Sequence, residues 1–375
     1  MNAGPLNPPR IVGDLDRSYL RSALDRAGRT SPLPSETNFD ELSGGRTGAT
    51  VTAIRSKQEP RYVHKAVSTQ RGFVDALGND GEAVYWLSGA TRDLPKPLRN
   101  PTIDAAYHEE RQEWWLLMDD VSAGIIGRDS WSEKDTRNLF EALAILHAAH
   151  WNRLDAPDLV LNTVAGTTAA LAQPVAHVAT GEPPRHPWVA KVAEEFPVPH
   201  MFLPTFLDVL GDDDGDFYVR ICRNWRKIAT ELDRHPKTLL HGDTRRANVA
   251  FLDDQISFFD WEFAARGPAA MDLTWHWFLR YWAYPPDDGK SPQERLWLRN
   301  AYLDRLDEEL ADAVDRHEFR VAWDLGWLRV FVQLGYCLVD SLTGSDPSPP
   351  EDVERITARC KEAIQMARRI VEDHV

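Results

Sequence analysis

Residues 237–262 read KTLLHGDTRRANVAFLDDQISFFDWE, and this stretch decides the fold. Three short apolar runs within it, separated by polar turns, predict strands joined by tight connections. Asp243 follows the first run, Asn248 precedes the second, and Asp260 ends the third. We therefore expect two carboxylates and one amide to lie together at one end of adjacent strands.

The residue types at these positions suit the transfer of a phosphoryl group. That reaction asks a protein mainly for positioning and charge neutralisation, because the transferred group is anionic and its transition state is loose. A carboxylate at Asp243 can accept the proton of a substrate hydroxyl, and Asn248 and Asp260 offer the oxygen ligands that Mg²⁺ prefers. The four residues between Asp243 and Asn248 match the spacing of the protein-kinase catalytic loop, and a metal-binding Asp follows there too.

Further motifs follow in a fixed order. The chain resembles the aminoglycoside phosphotransferase and choline kinase family in His241-Gly242-Asp243 with Asn248, in Asp260-Trp261-Glu262, and in Gly267-Pro268 with Asp272-Leu273. The first tripeptide alone could be a chance match in a loop, and its ordered setting is what gives it weight. Arg245 and Arg246 replace the His-Pro-Gly that this family often has inside the loop.

The resemblance implies an α+β, two-lobed, protein-kinase-like fold with a small antiparallel-sheet N-lobe and a mostly helical C-lobe. It also implies that Asp243 is the catalytic base, that Asn248 and Asp260 bind Mg²⁺, and that Asp272 braces the catalytic loop. On this basis we divide the chain into a tail and helix at 1–36, an N-lobe at 37–120 and a C-lobe at 121–375.

The N-lobe contains two candidates for contact with nucleotide phosphates through the backbone. Two predicted strands, 38–43 and 50–55, flank a glycine-rich turn that holds Gly45 and Gly48. Such a turn lets backbone N–H groups approach phosphates, although a plain hairpin turn explains the same residues nearly as well.

A lysine and a glutamate follow this turn. Lys65 lies near the end of a third predicted strand, and in the kinase-like arrangement a lysine there contacts the α- and β-phosphates. Glu82, at the start of an apolar helical run, is the best candidate to hold that lysine. A surface lysine and a solvated glutamate at a helix start are the alternatives for the two residues.

Two aromatic-rich stretches bear on ligand binding. The run ending in Met118, Asp119 and Val121 resembles the last N-lobe strand and the hinge after it, where adenine bonds to the backbone in such folds. Most aromatic residues at 274–282 are expected in the core, and Tyr281 or Trp282 could line an acceptor pocket, because aromatic faces suit sugars and amines.

The charge and composition of the chain limit the classes of molecule that it is expected to bind. A net charge of -15 over 375 residues argues against nucleic acid or an anionic membrane as partner. Three widely spaced cysteines fit a reducing compartment. Neither a signal peptide nor an uninterrupted apolar span is evident, so we expect a cytoplasmic protein. Nothing in the sequence identifies a protein partner.

We therefore predict an ATP- and Mg²⁺-dependent phosphotransferase that acts on a hydroxyl of an aminoglycoside-like or other amino or hydroxylated small molecule. GTP is an alternative phosphoryl donor. Choline, a sugar and a hydroxylated natural product are alternative acceptors. The net acidity mildly favours a cationic acceptor. A catalytically silent nucleotide-binding module is the alternative from another class, and a protein kinase is disfavoured because HGD stands where HRD is expected.

Overall fold

The fold was analysed in a computed structural model that describes residues 8–29, 36–42, 49–56, 62–78, 81–153, 161–342 and 353–375. The strands are β1 (Arg10–Ile11), β2 (Asn38–Leu42), β3 (Thr50–Arg55), β4 (Tyr62–Ser68), β5 (Leu98–Arg99), β6 (Thr102–His108), β7 (Glu113–Asp119), β8 (Asn162–Thr163), β9 (Thr238–Leu240), β10 (Val249–Leu252), β11 (Gln255–Phe258) and β12 (Ala265–Gly267). The α-helices are α1 (Arg17–Arg26), α2 (Gly72–Leu77), α3 (Glu82–Leu87), α4 (Glu133–His150), α5 (Val164–Thr180), α6 (Pro187–Glu195), α7 (Val198–Leu210), α8 (Asp212–Arg223), α9 (Trp225–Leu232), α10 (Ala270–Phe278), α11 (Trp297–Leu310), α12 (Arg316–Leu334) and α13 (Val353–His374).

The N-terminal part builds a sheet in which the described strands run in the order β1-β6-β7-β4-β3-β2. Every neighbouring pair is antiparallel except β1 with β6. The central strand β7 is buried along its middle, whereas the edge strand β2 is mostly exposed. The predicted small antiparallel-rich lobe is therefore confirmed.

Helix α1 covers one face of this sheet. Asp16 caps it by accepting the backbone N–H groups of Ser18 and Tyr19. Leu20 and Leu24 are buried in a cluster with sheet residues, and each contributes about 1.5–3 kcal/mol by leaving water. The first segment of the chain thus packs on the N-lobe sheet, while the proposed boundaries at 36/37 and 120/121 stay a prediction.

The C-terminal part is mostly helical, as predicted, so the α+β two-lobed fold is confirmed. Helix α4 begins with a capping box between Ser132 and Asp135, and it packs against α11, while α10 packs against α12. The described residues also form two small sheets, β8-β12-β9 and β10-β11-β5, and the second of these takes strand β5 from the N-terminal part. These sheets carry the stretch that decides the fold, with β10 and β11 as an antiparallel hairpin.

One helical segment of the described chain, Arg316–Leu342, is long and apolar enough to cross a membrane by length and composition. Its most apolar window has a mean hydropathy of 1.2, and 89% of that window is buried inside the protein. The segment therefore lies mostly in the interior of the protein.

Candidate active site

The loop after β9 depends on a glycine. Gly242 has a φ of +86°, and a Cβ added there would lie 2.0 Å from the carbonyl oxygen of Phe263. Asp272 of α10 accepts the backbone N–H groups of His241 and Gly242, each at 2.8 Å. The glycine therefore permits the turn, and the buried Asp272 holds its backbone, which is the bracing contact expected of that residue.

Asp243 extends from this turn, and neighbouring side chains orient its carboxylate. Trp275 Nε1 donates to Oδ1 at 2.7 Å, and Asn248 Nδ2 donates to Oδ2 at 2.8 Å. Arg245 Nε lies 3.1 Å from Oδ2 as an ion pair. Asp243 is buried, and hydrogen bonds are stronger away from water. These contacts therefore fix its carboxylate in one orientation.

Asp260 follows β11 in a left-handed conformation with φ 64° and ψ 58°. Such a backbone is uncommon for a residue other than glycine and is often found at functional sites. Lys65 Nζ lies 2.6 Å from Asp260 Oδ1, and Arg245 Nη2 lies 3.8 Å from Oδ2. Burial alone would raise the pKa of Asp260, but Lys65 and Arg245 together lower it to about 2, so the carboxylate stays ionised.

Lys65 connects the two lobes. Its Nζ donates to Glu82 Oε2 at 2.7 Å as well as to Asp260, so the N-lobe strand β4 directly contacts the aspartate that follows β11. Glu82 Oε1 in turn accepts the backbone N–H of Asp260 at 3.1 Å. Burial would lower the pKa of Lys65, yet Asp260 and Glu82 raise it, which keeps the ammonium charged.

A second buried ion pair lies behind this contact. Arg71 Nη1 is 2.8 Å from Glu262 Oε1, and both side chains are nearly inaccessible to water. Burial raises the pKa of Glu262, and the guanidinium of Arg71 partly opposes that effect. Because Arg71 precedes α2 of the N-lobe, it holds the loop that follows Asp260 against that lobe.

The predicted hinge residues lie at the end of β7 and just after it. Asp119 donates its backbone N–H to Pro101 at 2.9 Å, and its carboxylate pairs with Arg29 at 2.5 Å. Within the described part of the chain, the N–H of Val121 donates to no backbone carbonyl. Met118 is buried and paired within the sheet.

Two further sets of residues were expected to contact ligands, namely the glycines of the N-lobe turn and two aromatic residues after α10. Gly45 and Gly48 lie outside the described residues. Tyr281 and Trp282, expected to be able to line an acceptor pocket, are core residues: Tyr281 donates its hydroxyl to Thr136 at 3.0 Å, and the ring of Trp282 packs 5.2 Å from that of Trp327. Both side chains are almost fully buried, so the assignment of an acceptor contact to either is wrong.

The donor set suits a magnesium ion. Asn248 uses its amide nitrogen on the backbone carbonyl and the carboxylate of Asp243, which turns its amide oxygen outward from those contacts. Asp260 supplies an ionised carboxylate. Mg²⁺ is usually coordinated by one or two protein carboxylates together with phosphate oxygens and water. The amide oxygen of Asn248 and the carboxylate of Asp260 are consistent with that coordination.

Sequence reasoning missed three residues of this site. The sequence predicts only that Trp275 lies on a mostly core helix, and Arg245 differs from the residue that the family often has in the loop without indicating a contact. No motif or spacing in the sequence indicates a role for Arg71. The indole of Trp275 and the guanidinium of Arg245 both reach Asp243, and only their placement on folded elements reveals it.

Comparisons with known proteins bear on the family and on the fold. Residues 41–312 match the model of the phosphotransferase enzyme family, APH. Solved structures similar to the chain include choline kinase from Cryptosporidium parvum, at 11% identity and TM-score 0.51, with 96% of this chain and 97% of that chain covered. Others are a microcompartment-associated aminopropanol kinase, at 12% identity and TM-score 0.50, covering 96% and 98%, and amicoumacin kinase with AMP-PNP and Ca²⁺, at 11% identity and TM-score 0.50, covering 94% and 93%. No curated protein matches the chain significantly.

Proposed function

Because residues 41–312 match its model, the chain belongs to the phosphotransferase enzyme family, and we propose that it transfers the γ-phosphoryl group of ATP to a hydroxyl of a small molecule with Mg²⁺. The observation that carries the proposal is the convergence of Lys65, Asp260 and Asp243. Lys65 touches Asp260 at 2.6 Å, and Arg245 lies within 4 Å of both aspartates.

Asp243 acts as the base toward the acceptor. Its carboxylate is oriented by Trp275 and Asn248, so it need not reorganise when it accepts the proton of the attacking hydroxyl. Positioning of this kind supplies much of the acceleration that a loose phosphoryl-transfer transition state can receive.

The N-lobe binds the nucleotide. The permanently charged Lys65, held by Glu82, neutralises phosphate oxygens, and the N–H of Val121, which donates to no backbone carbonyl among the described residues, bonds to the adenine ring. Asn248 and Asp260 would hold Mg²⁺, which when bound neutralises charge on the β- and γ-phosphate oxygens. The solved amicoumacin kinase contains AMP-PNP and Ca²⁺, which supports the use of a nucleotide and a divalent cation. GTP is the alternative donor.

Choline, a sugar and a hydroxylated natural product are alternatives for the acceptor. The similar solved structures include kinases of choline and of an aminopropanol, and these support an alcohol acceptor. A silent nucleotide-binding module is disfavoured, because a silent relative would have no need to keep Asp243 oriented by two donors.

The deciding experiment incubates the protein with Mg·ATP and a panel of aminoglycosides, choline, ethanolamine, sugars and hydroxy acids, and detects the mass gain of one phosphate. We expect Asp243→Asn to abolish transfer while nucleotide affinity, measured by calorimetry, changes little. Asp254→Asn, in the exposed turn between β10 and β11, is the matched control and should transfer normally.

Three results separate the alternatives. Transfer that survives in Asp243→Asn would reassign the base. Binding of Mg·ATP without transfer to any acceptor would favour the silent module. Absence of Mg·ATP binding would overturn the proposal.

A further inference from the structure

Four charged side chains of the site form a row of alternating sign, and we call Lys65, Asp260, Arg245 and Asp243 the charge row. Nζ of Lys65 lies 2.6 Å from Oδ1 of Asp260, and Nη2 of Arg245 lies 3.8 Å from the other oxygen of that carboxylate. Nε of Arg245 lies 3.1 Å from Oδ2 of Asp243. Arg245 is therefore the cation between the proposed metal ligand and the proposed base.

The two cations of the charge row are held differently. Lys65 donates hydrogen bonds to Glu82 at 2.7 Å and to Asp260 at 2.6 Å, so two carboxylates already bind its ammonium group. Nε of Arg245 is buried, yet it makes no hydrogen bond to any described residue, because its N–H is not aligned with the carboxylate of Asp243. A buried donor without an acceptor is costly, so a ligand that accepts from Arg245 is favoured.

The side chain of Arg245 is accessible to such a ligand. Of this side chain 36% is exposed, compared with 12% for Asp243 and 24% for Asp260. A guanidinium group carries five N–H donors in a planar fork, and this geometry matches the oxygens of a phosphate. Hydrogen bonds between charged groups of this kind are about twice as strong as those between neutral groups. Arg245 can therefore bind a phosphate group beside both aspartates.

The order of the charge row indicates which phosphate group this is. Lys65, at one end, is assigned to the nucleotide phosphates, and Asp243, at the other end, to the hydroxyl of the acceptor. The γ-phosphoryl group passes from the nucleotide to that hydroxyl, so its path lies between the two ends. Within the charge row, the cation on this path is Arg245.

We propose that Arg245 is a catalytic residue that binds the γ-phosphoryl group during transfer. This inference rests on the proposed function and adds a residue to it. An arginine that an enzyme directs at the transferred group stabilises the charge of the transition state, and such residues accelerate phosphoryl transfer by about a thousandfold or more. In the structure without nucleotide, the two aspartates attract this guanidinium group and keep it at the site.

The transfer itself exchanges one phosphorus–oxygen bond for another. The bond from the γ-phosphorus to the oxygen that bridges it to the β-phosphorus breaks, and this oxygen keeps the electron pair in ADP. A bond forms between the γ-phosphorus and the acceptor oxygen, whose proton goes to Asp243. Arg245 donates hydrogen bonds to the outer oxygens of the γ-phosphoryl group and exchanges no proton.

The first test compares Mg·AMP-PNP with Mg·ADP, which lacks the γ-phosphoryl group, by isothermal titration calorimetry. We expect Arg245→Gln to weaken binding of Mg·AMP-PNP at least about tenfold without weakening that of Mg·ADP, since hydrogen bonds to a charged group are worth that much. Arg245→Lys keeps the charge but loses the planar fork, so it should recover part of the affinity.

Arg246→Gln is the matched control for this experiment. Arg246 is the next residue of the same loop and forms no ion pair with Asp243 or Asp260 among the described residues. Its replacement removes the same charge and should leave the ratio of the two affinities within about twofold of wild type. Equal weakening of both nucleotides in Arg245→Gln, or the same change of the ratio in both variants, would overturn the assignment.

The second test measures kcat with an acceptor that wild type phosphorylates. Arg245→Gln should lower kcat at least about a hundredfold and change KM for the acceptor less than about twofold, because the lost donors act on the transition state. Arg246→Gln should keep kcat within about threefold of wild type. A loss of kcat below about tenfold in Arg245→Gln would overturn the assignment.

The binding ratio decides alone where no acceptor is phosphorylated, since it requires no transfer. Wild type that binds both nucleotides with an unchanged ratio in Arg245→Gln refutes the role of Arg245 and leaves the proposed function standing. Wild type that binds neither nucleotide would reject the proposed function and this assignment with it.

Discussion

The indole N–H of Trp275 donates to Oδ1 of Asp243 at 2.7 Å. Trp275 lies on α10, three residues after Asp272, and Asp272 holds the backbone of the catalytic loop. One short helix therefore fixes both the backbone that precedes Asp243 and one oxygen of its carboxylate. The other oxygen is held from within the loop by Asn248.

Replacement of Trp275 by phenylalanine keeps a large aromatic ring and removes the donor. We expect kcat to fall about tenfold, because a hydrogen bond to a charged group contributes about 1.5–3 kcal/mol and part of it is recovered by water. KM for ATP should not change, since among the described residues the indole N–H of Trp275 bonds to Asp243 and not to Lys65 or Glu82. Steady-state kinetics with both substrates gives the two values.

Trp277→Phe is the matched control for this change. Trp277 lies on the same helix and packs against Trp323 and Tyr281 in the core, away from Asp243. Its replacement should lower the free energy of unfolding more than it lowers kcat. An equal loss of kcat in both variants would show that Trp275 acts through general packing instead.

A methyl group at position 242 should be incompatible with the active loop. Gly242→Ala puts a Cβ 2.0 Å from the carbonyl oxygen of Phe263 at a φ of +86°. Since backbone atoms must move, we expect kcat to fall by more than about a hundredfold, as displacements near 1 Å cost that much in catalysis. Activity and the urea midpoint of unfolding are the measurements.

Gly181→Ala separates the clash from the cost of the backbone conformation. Gly181 also has a positive φ, of +64°, but a Cβ there would meet no atom within 4 Å. It should therefore lose only about 1–2 kcal/mol of stability and no activity. Comparable activity in the two variants would mean that the loop relaxes around the new methyl group.

The sequence was enough to predict contacts that follow from chain order and motif spacing. The resemblance to the family implies that Glu82 holds Lys65, and the structure shows that contact, whereas the contact of Lys65 with Asp260 is not predicted by the sequence. Short-range patterns also gave the strands around Asp243 and the capped helix α4. The strands and the capped helix depend on local periodicity, which a sequence records directly.

Contacts decided by packing between distant elements could not be predicted in this way. Tyr281 and Trp275 both lie in one aromatic run, and periodicity cannot tell which ring faces Asp243 and which faces the core. Arg71 and Glu262 meet because the start of α2 lies against the loop that follows Asp260, which no spacing rule anticipates.

Arg245 lies between the two aspartates, where a cation is stabilising in the absence of metal. Its guanidinium is 3.1 Å from Asp243 and 3.8 Å from Asp260, and Asp243 above all raises its pKa. We expect Arg245→Gln to bind Mn²⁺ more tightly than wild type in the absence of nucleotide, by about fivefold, because a competing positive charge near Asp260 is worth about 1 kcal/mol or more. Electron paramagnetic resonance of free Mn²⁺ measures this affinity.

Arg246→Gln is the control for metal binding in that experiment. It removes a neighbouring positive charge whose side chain does not contact Asp260 among the described residues. A gain confined to Arg245→Gln would indicate competition by contact, whereas equal gains would indicate only a change in the long-range field. Weaker Mn²⁺ binding in Arg245→Gln would contradict the prediction.

Stability in acid should depend on His64, a buried histidine of β4. Burial, with Arg111 and His108 adding to it, lowers its pKa from 6.5 to about 3, and neither ring nitrogen has a hydrogen-bond partner among the described residues. Between these pH values the unfolded chain binds a proton at this residue and the folded chain does not. The free energy of unfolding therefore falls as pH falls, by about 1.4 kcal/mol per pH unit from this one group.

His64→Gln removes the proton-binding group and should reduce this slope by that amount. Urea unfolding at several pH values from 7 to 4.5 measures it, and the difference between variant and wild type cancels the other titrating groups. His200→Gln, at an exposed position on α7, should leave the slope of wild type unchanged. If His64→Gln and wild type lose stability at the same rate on acidification, the folded protein must accept a proton at His64, and the interior next to Trp115 must admit water or a counter-ion.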